Sequence, residues 1–244
     1  VSADPITDIR RIARVMLDLG AAGMDETEIA SRMADLGAKL SGGVDMDRAS
    51  ISLRTLSMGD KRGPAVDLLR VILRSPQFPA PVFAREQARS VAALKEALTR
   101  PDTIASRAFW SAMYPAHAYG RHATPESVRA LTRADVLAFH AANYTAAAAT
   151  VTIIGDLSRT DAQAVAEDLT GGLAPGVPIV GLAAPELPPA GEQRIAHPAA
   201  QAHLLLGLPA LKRGDPDFFP LVVGNYALGG GGFVSRLMKE VRDK

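Results

Sequence analysis

Arg48-Ala49-Ser50-Ile51-Ser52-Leu53-Arg54-Thr55-Leu56 alternates residue by residue, with Ala49, Ile51 and Leu53 on one face and Ser50, Ser52 and Arg54 on the other. A period of two is the mark of a half-buried strand. The segments on either side keep a different rhythm. Upstream, Asp8–Leu19 carries Ile9, Ile12, Val15, Met16 and Leu19 at helical spacing, and Gly20 stops it. Asp25-x-x-Glu28 has the shape of a capping box. Behind it Ile29, Met33, Leu36 and Leu40 form one apolar stripe, ended by Gly37 and by Ser41-Gly42-Gly43.

Downstream, Pro64 suits the first turn of a helix that presents Val66, Leu69, Ile72 and Leu73. Ser75–Pro79 reads as a turn, Phe83–Leu98 as a long alanine-rich helix halted before Pro101, and Ile104–Met113 as another. Thr132-x-x-Asp135 opens a helix carrying Val136, Phe139 and Tyr144. Val151–Ile154 reads as a strand entering the Gly155-Asp156 turn, and Ser158–Leu169 as a helix. Residues 173–198 turn to Gly, Pro and Ala without periodicity, which predicts a linker. Beyond it Ala202–Leu208 reads as a buried strand and Phe218–Leu228 as a helix. Four glycines, Gly229 to Gly232, and a short amphipathic helix over Val234–Val241 complete the pattern. Few strands with long helical connections predict an α+β fold: a first domain over 1–172, the linker 173–198, and the opening of a second over 199–244.

The 244 residues carry 27 Lys+Arg against 26 Asp+Glu, without the basic stripe of a nucleic-acid binder. No cysteine is present, which excludes disulfides and thiolate zinc sites. The longest apolar runs fall far short of the ~20 residues a membrane helix needs, so the expectation is a soluble protein.

The order and punctuation of several stretches resemble the pitrilysin/insulinase-type (M16) metallopeptidase family. They are Leu36-Gly37-Ala38-Lys39-Leu40-Ser41, Ser75-Pro76-Gln77-Phe78, Tyr114-Pro115-Ala116-His117-Ala118-Tyr119-Gly120 and Thr124-Pro125-Glu126-Ser127-Val128. Leu131-Thr132-Arg133-Ala134-Asp135-Val136, Phe139-His140, Asn143-Tyr144 and Ile153-Ile154-Gly155-Asp156 follow, then Asn225 to Leu237 and Val241 to Lys244. The resemblance implies two similar domains, each a mixed or antiparallel sheet flanked by helices. This chain would hold most of the first, without its opening strands, and the start of the second.

Active members resemble one another in an inverted zinc motif, H-x-x-E-H, on an early helix, with a further glutamate on a later one. Two imidazoles hold the metal and the intervening carboxylate serves as general base toward its water. Counted back from Gly20, those positions fall at about Arg11, Arg14 and Val15, and the later glutamate near Ala92 or Ala93. None of these side chains is a ligand. Glu86 and Glu96 are out of register, and guanidinium groups repel a metal ion. His117, His122, His140, His197 and His203 include no pair at i,i+4 spacing, and their expected roles are structural.

The glycine run lacks the Gly-Lys-Ser/Thr ending of a phosphate loop and reads first as a permissive turn between helices. Non-catalytic partners of the mitochondrial processing peptidase carry a glycine-rich loop that guides substrate, so the resemblance implies Gly229, Gly230, Gly231, Gly232 and Phe233 as candidates for that role. The family's substrate-holding Arg/Tyr pair would lie beyond Lys244. The expected function is therefore a zinc-less subunit, inactive alone, that joins an H-x-x-E-H subunit or a further copy to enclose unfolded peptides. Zinc would reside only in the catalytic partner, and family habit points to the bacterial periplasm. The alternatives are a scaffold like the core subunits of respiratory complex III, or an active zinc peptidase whose motif lies elsewhere.

Overall fold

In the computed structural model, residues 5–178, 183–186 and 188–242 are described. Helix α1 spans Pro5–Met16, and its inner face delivers Ile12, Ala13 and Met16 to the core with Leu17 just beyond it. The chain turns through a two-stranded ribbon, β1 (Gly20–Ala21) and β2 (Met24–Asp25), into α2 (Glu26–Asp35). The capping box is realised in full. Asp25 accepts from the amides of Thr27 and Glu28 at 2.8 and 2.9 Å, and Glu28 accepts from the Asp25 amide at 3.0 Å. Such a cap contributes about 1 kcal/mol to a helix start.

The end of α2 corrects the sequence reading, which carried the helical stripe on to Leu40. Gly37 takes φ +62°, its amide donates to Ala34 and the Ala38 amide to Met33, closing a Schellman motif. Leu40 therefore lies not on the helix but in β3 (Lys39–Val44), which pairs antiparallel with β4 (Ala49–Arg54). The register runs from Lys39↔Arg54 to Val44↔Ala49.

Helices α3 (Gly59–Arg74), α4 (Ala80–Ala97), α5 (Pro101–Met113), α6 (Pro125–Ala130) and α7 (Arg133–Asn143) follow, then α8 (Arg159–Thr170). Pro64 sits a turn further into α3 than expected, because the helix begins at Gly59. Thr124 and Thr132 form reciprocal capping boxes with Ser127 and Asp135. The core gathers Ile29 and Met33 from α2, Leu68 and Ile72 from α3, Phe83 and Val91 from α4, and Val136 from α7. Each such side chain contributes roughly 1.5–3 kcal/mol on burial. Phe78, in the turn between α3 and α4, is fully buried at φ +44°, and Arg133 holds its carbonyl at 2.6 Å and that of Gln77 at 2.7 Å.

Two expected strands are not strands. Val151–Ile154 and Ala202–Leu208 join no ladder. A strand needs a ladder to a neighbouring edge to satisfy its backbone, and neither segment forms one among the described residues. Ile154 is left 93% exposed and Leu206 95% exposed. The expected linker includes 179–182 and 187, which lie outside the described residues.

The chain forms two compact units, Val1–Leu205 and Leu206–Lys244. In the second, α9 (Phe218–Asn225) continues as a π-helical turn over Tyr226–Gly230, then a 3-10 turn over Gly232–Val234 and a π-helical turn over Met238–Arg242. No helix among the described residues is long and apolar enough to cross a membrane.

Candidate functional site

The corner where α1 packs against both α4 and β3 is where the resemblance puts a metal. On α1, Arg11 and Val15 are exposed, and the Arg14 side chain lies outside the described residues. On α4, Ala92 and Ala93 are exposed too. The acid that α4 does bury is Glu86, which accepts from Arg85 Nε at 3.0 Å, with Arg89 at 4.0 Å. The other two nitrogens of Arg85 form a fork onto both oxygens of Glu26, at 2.9 and 2.6 Å. That bond holds the Glu26 carboxyl below its ordinary range and pushes the Arg85 guanidinium up. One guanidinium thus links the start of α2 to α4. Such bidentate pairs fix geometry, and an arginine cannot serve as a proton acceptor at neutral pH. Among the described residues, no three His, Cys, Asp or Glu side chains cluster closely enough to hold a metal ion.

Beside α1, the edge of β3 that faces away from β4 pairs with no strand among the described residues. It presents Lys39, Ser41, Gly42 and Gly43, all exposed, so an extended peptide could add its backbone there.

The histidines are dispersed. His117 Nδ1 accepts from the Tyr119 amide at 3.2 Å, and its Nε2 lies 3.2 Å from the Ala183 carbonyl. His122 Nε2 lies 3.0 Å from the Arg107 carbonyl, and His197 Nε2 lies 3.2 Å from that of Thr99. His140 is stacked on Tyr144 with centroids 4.6 Å apart. His203 is exposed. In the second unit, Gly229 and Gly230 belong to the π-helical turn. Gly232 sits at φ +60° and Phe233 is 77% exposed, with the Arg242 guanidinium 5.6 Å from its ring. A Cβ on Gly231 would meet the Tyr226 carbonyl oxygen at 2.9 Å.

Sequence reasoning passed over the Arg85 bridge, because an Arg-Glu pair on a charged helix gives no signal until the partner on α2 is in place. The profile described as the peptidase M16 inactive domain matches residues 130–244. A peptidase M16 inactive domain from Pseudomonas fluorescens superimposes with TM-score 0.89 at 32% identity, over 98% of this chain and 58% of that one. The chain belongs to the M16 peptidase family. This M16 chain also shares its fold with a Helicobacter pylori protease (TM-score 0.63, 14% identity, 76% of this chain and 44% of that one). The periplasmic protease PqqL from Escherichia coli is similar as well (TM-score 0.58, 16% identity, 75% and 21%). Among curated proteins no sequence match is found. The M16 chain spans 58% of the length of its Pseudomonas relative.

Proposed function

We propose that this chain is a non-catalytic M16 unit that pairs with a zinc-bearing H-x-x-E-H unit and helps to enclose and present extended peptides. The observation that carries this is the chemistry of the α1–α4 corner. Arg11, Arg14, Val15 and Ala93 stand at the positions the resemblance assigns to metal ligands and base, and buried Glu86 is already engaged by Arg85. A guanidinium within about 4 Å of a divalent cation opposes its binding by several kcal/mol at an effective dielectric near 20. Zinc then belongs to the catalytic H-x-x-E-H partner, since a further copy of this chain carries the same residues. The open β3 edge supplies backbone groups for an unfolded peptide, and a closed shell around it keeps folded proteins out.

The match to the inactive-domain profile supports a non-catalytic role. A periplasmic relative makes the periplasm the compartment to test. The experiment is to assay the full-length polypeptide on unfolded peptides, alone and with an H-x-x-E-H partner from the same cells. The expected result is no cleavage alone and faster cleavage by the partner when it is added. Unchanged cleavage by the partner, or zinc-dependent cleavage by this chain alone, overturns the proposal.

A further inference from the structure

Lys39 stands directly opposite Arg54 in the β3–β4 register, Ser41 opposite Ser52 and Gly43 opposite Ser50. Directly opposed residues share a face, so these lie together on one side of the hairpin, and all of them are exposed. The other side turns Leu40, Ile51 and Leu53 toward the core. The exposed face is therefore hydroxyl and glycine along most of its length, with two cations at its base. Like charges held directly opposite each other repel. Among the described residues neither Lys39 nor Arg54 forms an ion pair.

The acids of the hairpin sit at its far end and are engaged there. Asp45 accepts from the Asp47 and Arg48 amides, both at 2.8 Å, and from Arg48 Nε at 3.1 Å. Asp47 accepts from the Tyr119 hydroxyl at 2.5 Å. The length of β3 puts that tip about 17 Å from Lys39. That is roughly twice the Debye length at physiological salt, so the tip does not neutralise the base. The net charge of the chain is only +1, so the excess at the base is local.

We infer that this face selects acidic peptides, reading a carboxylate at the position of an added strand that is level with Lys39. This rests on the peptide-presenting role proposed above and gives it a substrate class. A residue added beside β3 and directly opposite Lys39 brings its Cβ to about 5 Å from that of Lys39, and Arg54 stands one strand further, about 10 Å away. One Asp or Glu there meets the Lys39 ammonium, lies in the field of both cations and relieves their repulsion. Positions level with Ser41 and Gly43 meet no charge. A Cβ built on Gly43 has no atom within 4 Å, so that part of the face accepts side chains of any size.

The test is direct binding of fluorescent unfolded peptides to the full-length polypeptide, without a catalytic partner, followed by anisotropy. Three peptides of equal length carry Glu, Gln or Lys at three alternate positions of an otherwise identical sequence. The Glu peptide is expected to bind about 5-fold more tightly than the Gln peptide, and the Lys peptide more weakly than either. The gap should close in about 1 M salt, where the Debye length is about 3 Å. Lys39→Gln/Arg54→Gln should bring the Glu and Gln peptides to the same affinity. This pair of replacements is exposed and removes a like-charge contact, so its melting temperature is expected to stay at or above the parent's. Lys39→Glu/Arg54→Glu should reverse the order in favour of the Lys peptide. Equal affinity of the parent for the Glu and Gln peptides, or an acidic preference that survives charge reversal, overturns the inference and leaves peptide presentation standing. If none of the three peptides binds, the peptide-presenting role fails and the inference falls with it.

Discussion

Replacing Arg133 by alanine should loosen the turn between α3 and α4 more than any other exposed substitution in that region. Arg133 Nε donates to the Phe78 carbonyl and Nη2 to that of Gln77. The same turn is tied to β1 through the Gln77 amide on Gly20 and the Ala22 amide on Ser75, each 3.0 Å. Phe78 fills the core at φ +44°, a conformation that costs a bulky L-residue about 1–2 kcal/mol and persists only where its surroundings enforce it. Hydrogen bonds from a charged donor contribute about 1.5–3 kcal/mol when buried. Here Arg133 is exposed, so water recovers part of each bond and about 1 kcal/mol apiece is a fair reckoning. The sum, about 2 kcal/mol, corresponds to a fall of roughly 4–8 °C in melting temperature for a domain of this size. Thermal and urea unfolding followed by circular dichroism measure both quantities. Arg133→Lys should recover about half or less, since one ammonium cannot match the guanidinium fork on two carbonyls. An alanine variant that melts within about 1 °C of the parent, or a lysine variant that restores it fully, would refute the clamp.

Burial disfavours the charged ring of His140 and holds its pKa below the ordinary 6.5, and burial with the nearby Arg107 does the same to His122. The unfolded chain therefore takes up these protons first. Stability is full above pH 6.5 and falls as the pH drops below it, and the double replacement His140→Gln/His122→Gln should flatten that slope below pH 6.5. Asp135 and Asp45, held low by hydrogen bonds from Thr132 and from the Asp47 and Arg48 amides, add a separate loss only below their ordinary 3.8. Gly232→Ala should cost about 1 kcal/mol at φ +60°, while Gly230→Ala, whose Cβ meets its nearest atom at 3.4 Å, should be milder. Equal effects of both on a partner's cleavage rate, without loss of stability, would instead favour a substrate-guiding role for Gly229 to Phe233. Purified chain dialysed against trace zinc should hold well below one zinc by elemental analysis; a stoichiometric ion removed by His117→Ala or His122→Ala would move the metal site there.

Most helices were legible because their signals are local. Asp25, Thr132 and Ser158 each announce a helix start within four residues, and the structure uses all three as caps. The strand over β4 was legible for the same reason, since alternation is written into one segment. Its partner β3 was not. Lys39-Leu40-Ser41-Gly42-Gly43-Val44 has weak strand propensity, and only the register with β4 gives it a conformation. The opposite failure occurred at Val151–Ile154 and Ala202–Leu208, whose patterns are strand-like while neither joins a ladder among the described residues. The fork from Arg85 to Glu26 was not legible, because it spans 59 positions.

The three reciprocal capping boxes have a consequence for the order of folding. Asp25 with Glu28, Thr124 with Ser127 and Thr132 with Asp135 are complete within four residues each, so they bias the unfolded chain toward helix before any distant contact exists. Helices relax in about a microsecond or less, and hairpins in roughly 1–10 microseconds. The packing of α1 on α7 spans more than half the length of the first unit, so its loop-closure cost is large and it is expected to form last. Alanine at Thr124 or Thr132 should then speed unfolding or slow refolding according to whether its helix is already docked when α1 arrives, and the ratio of the two effects times that docking.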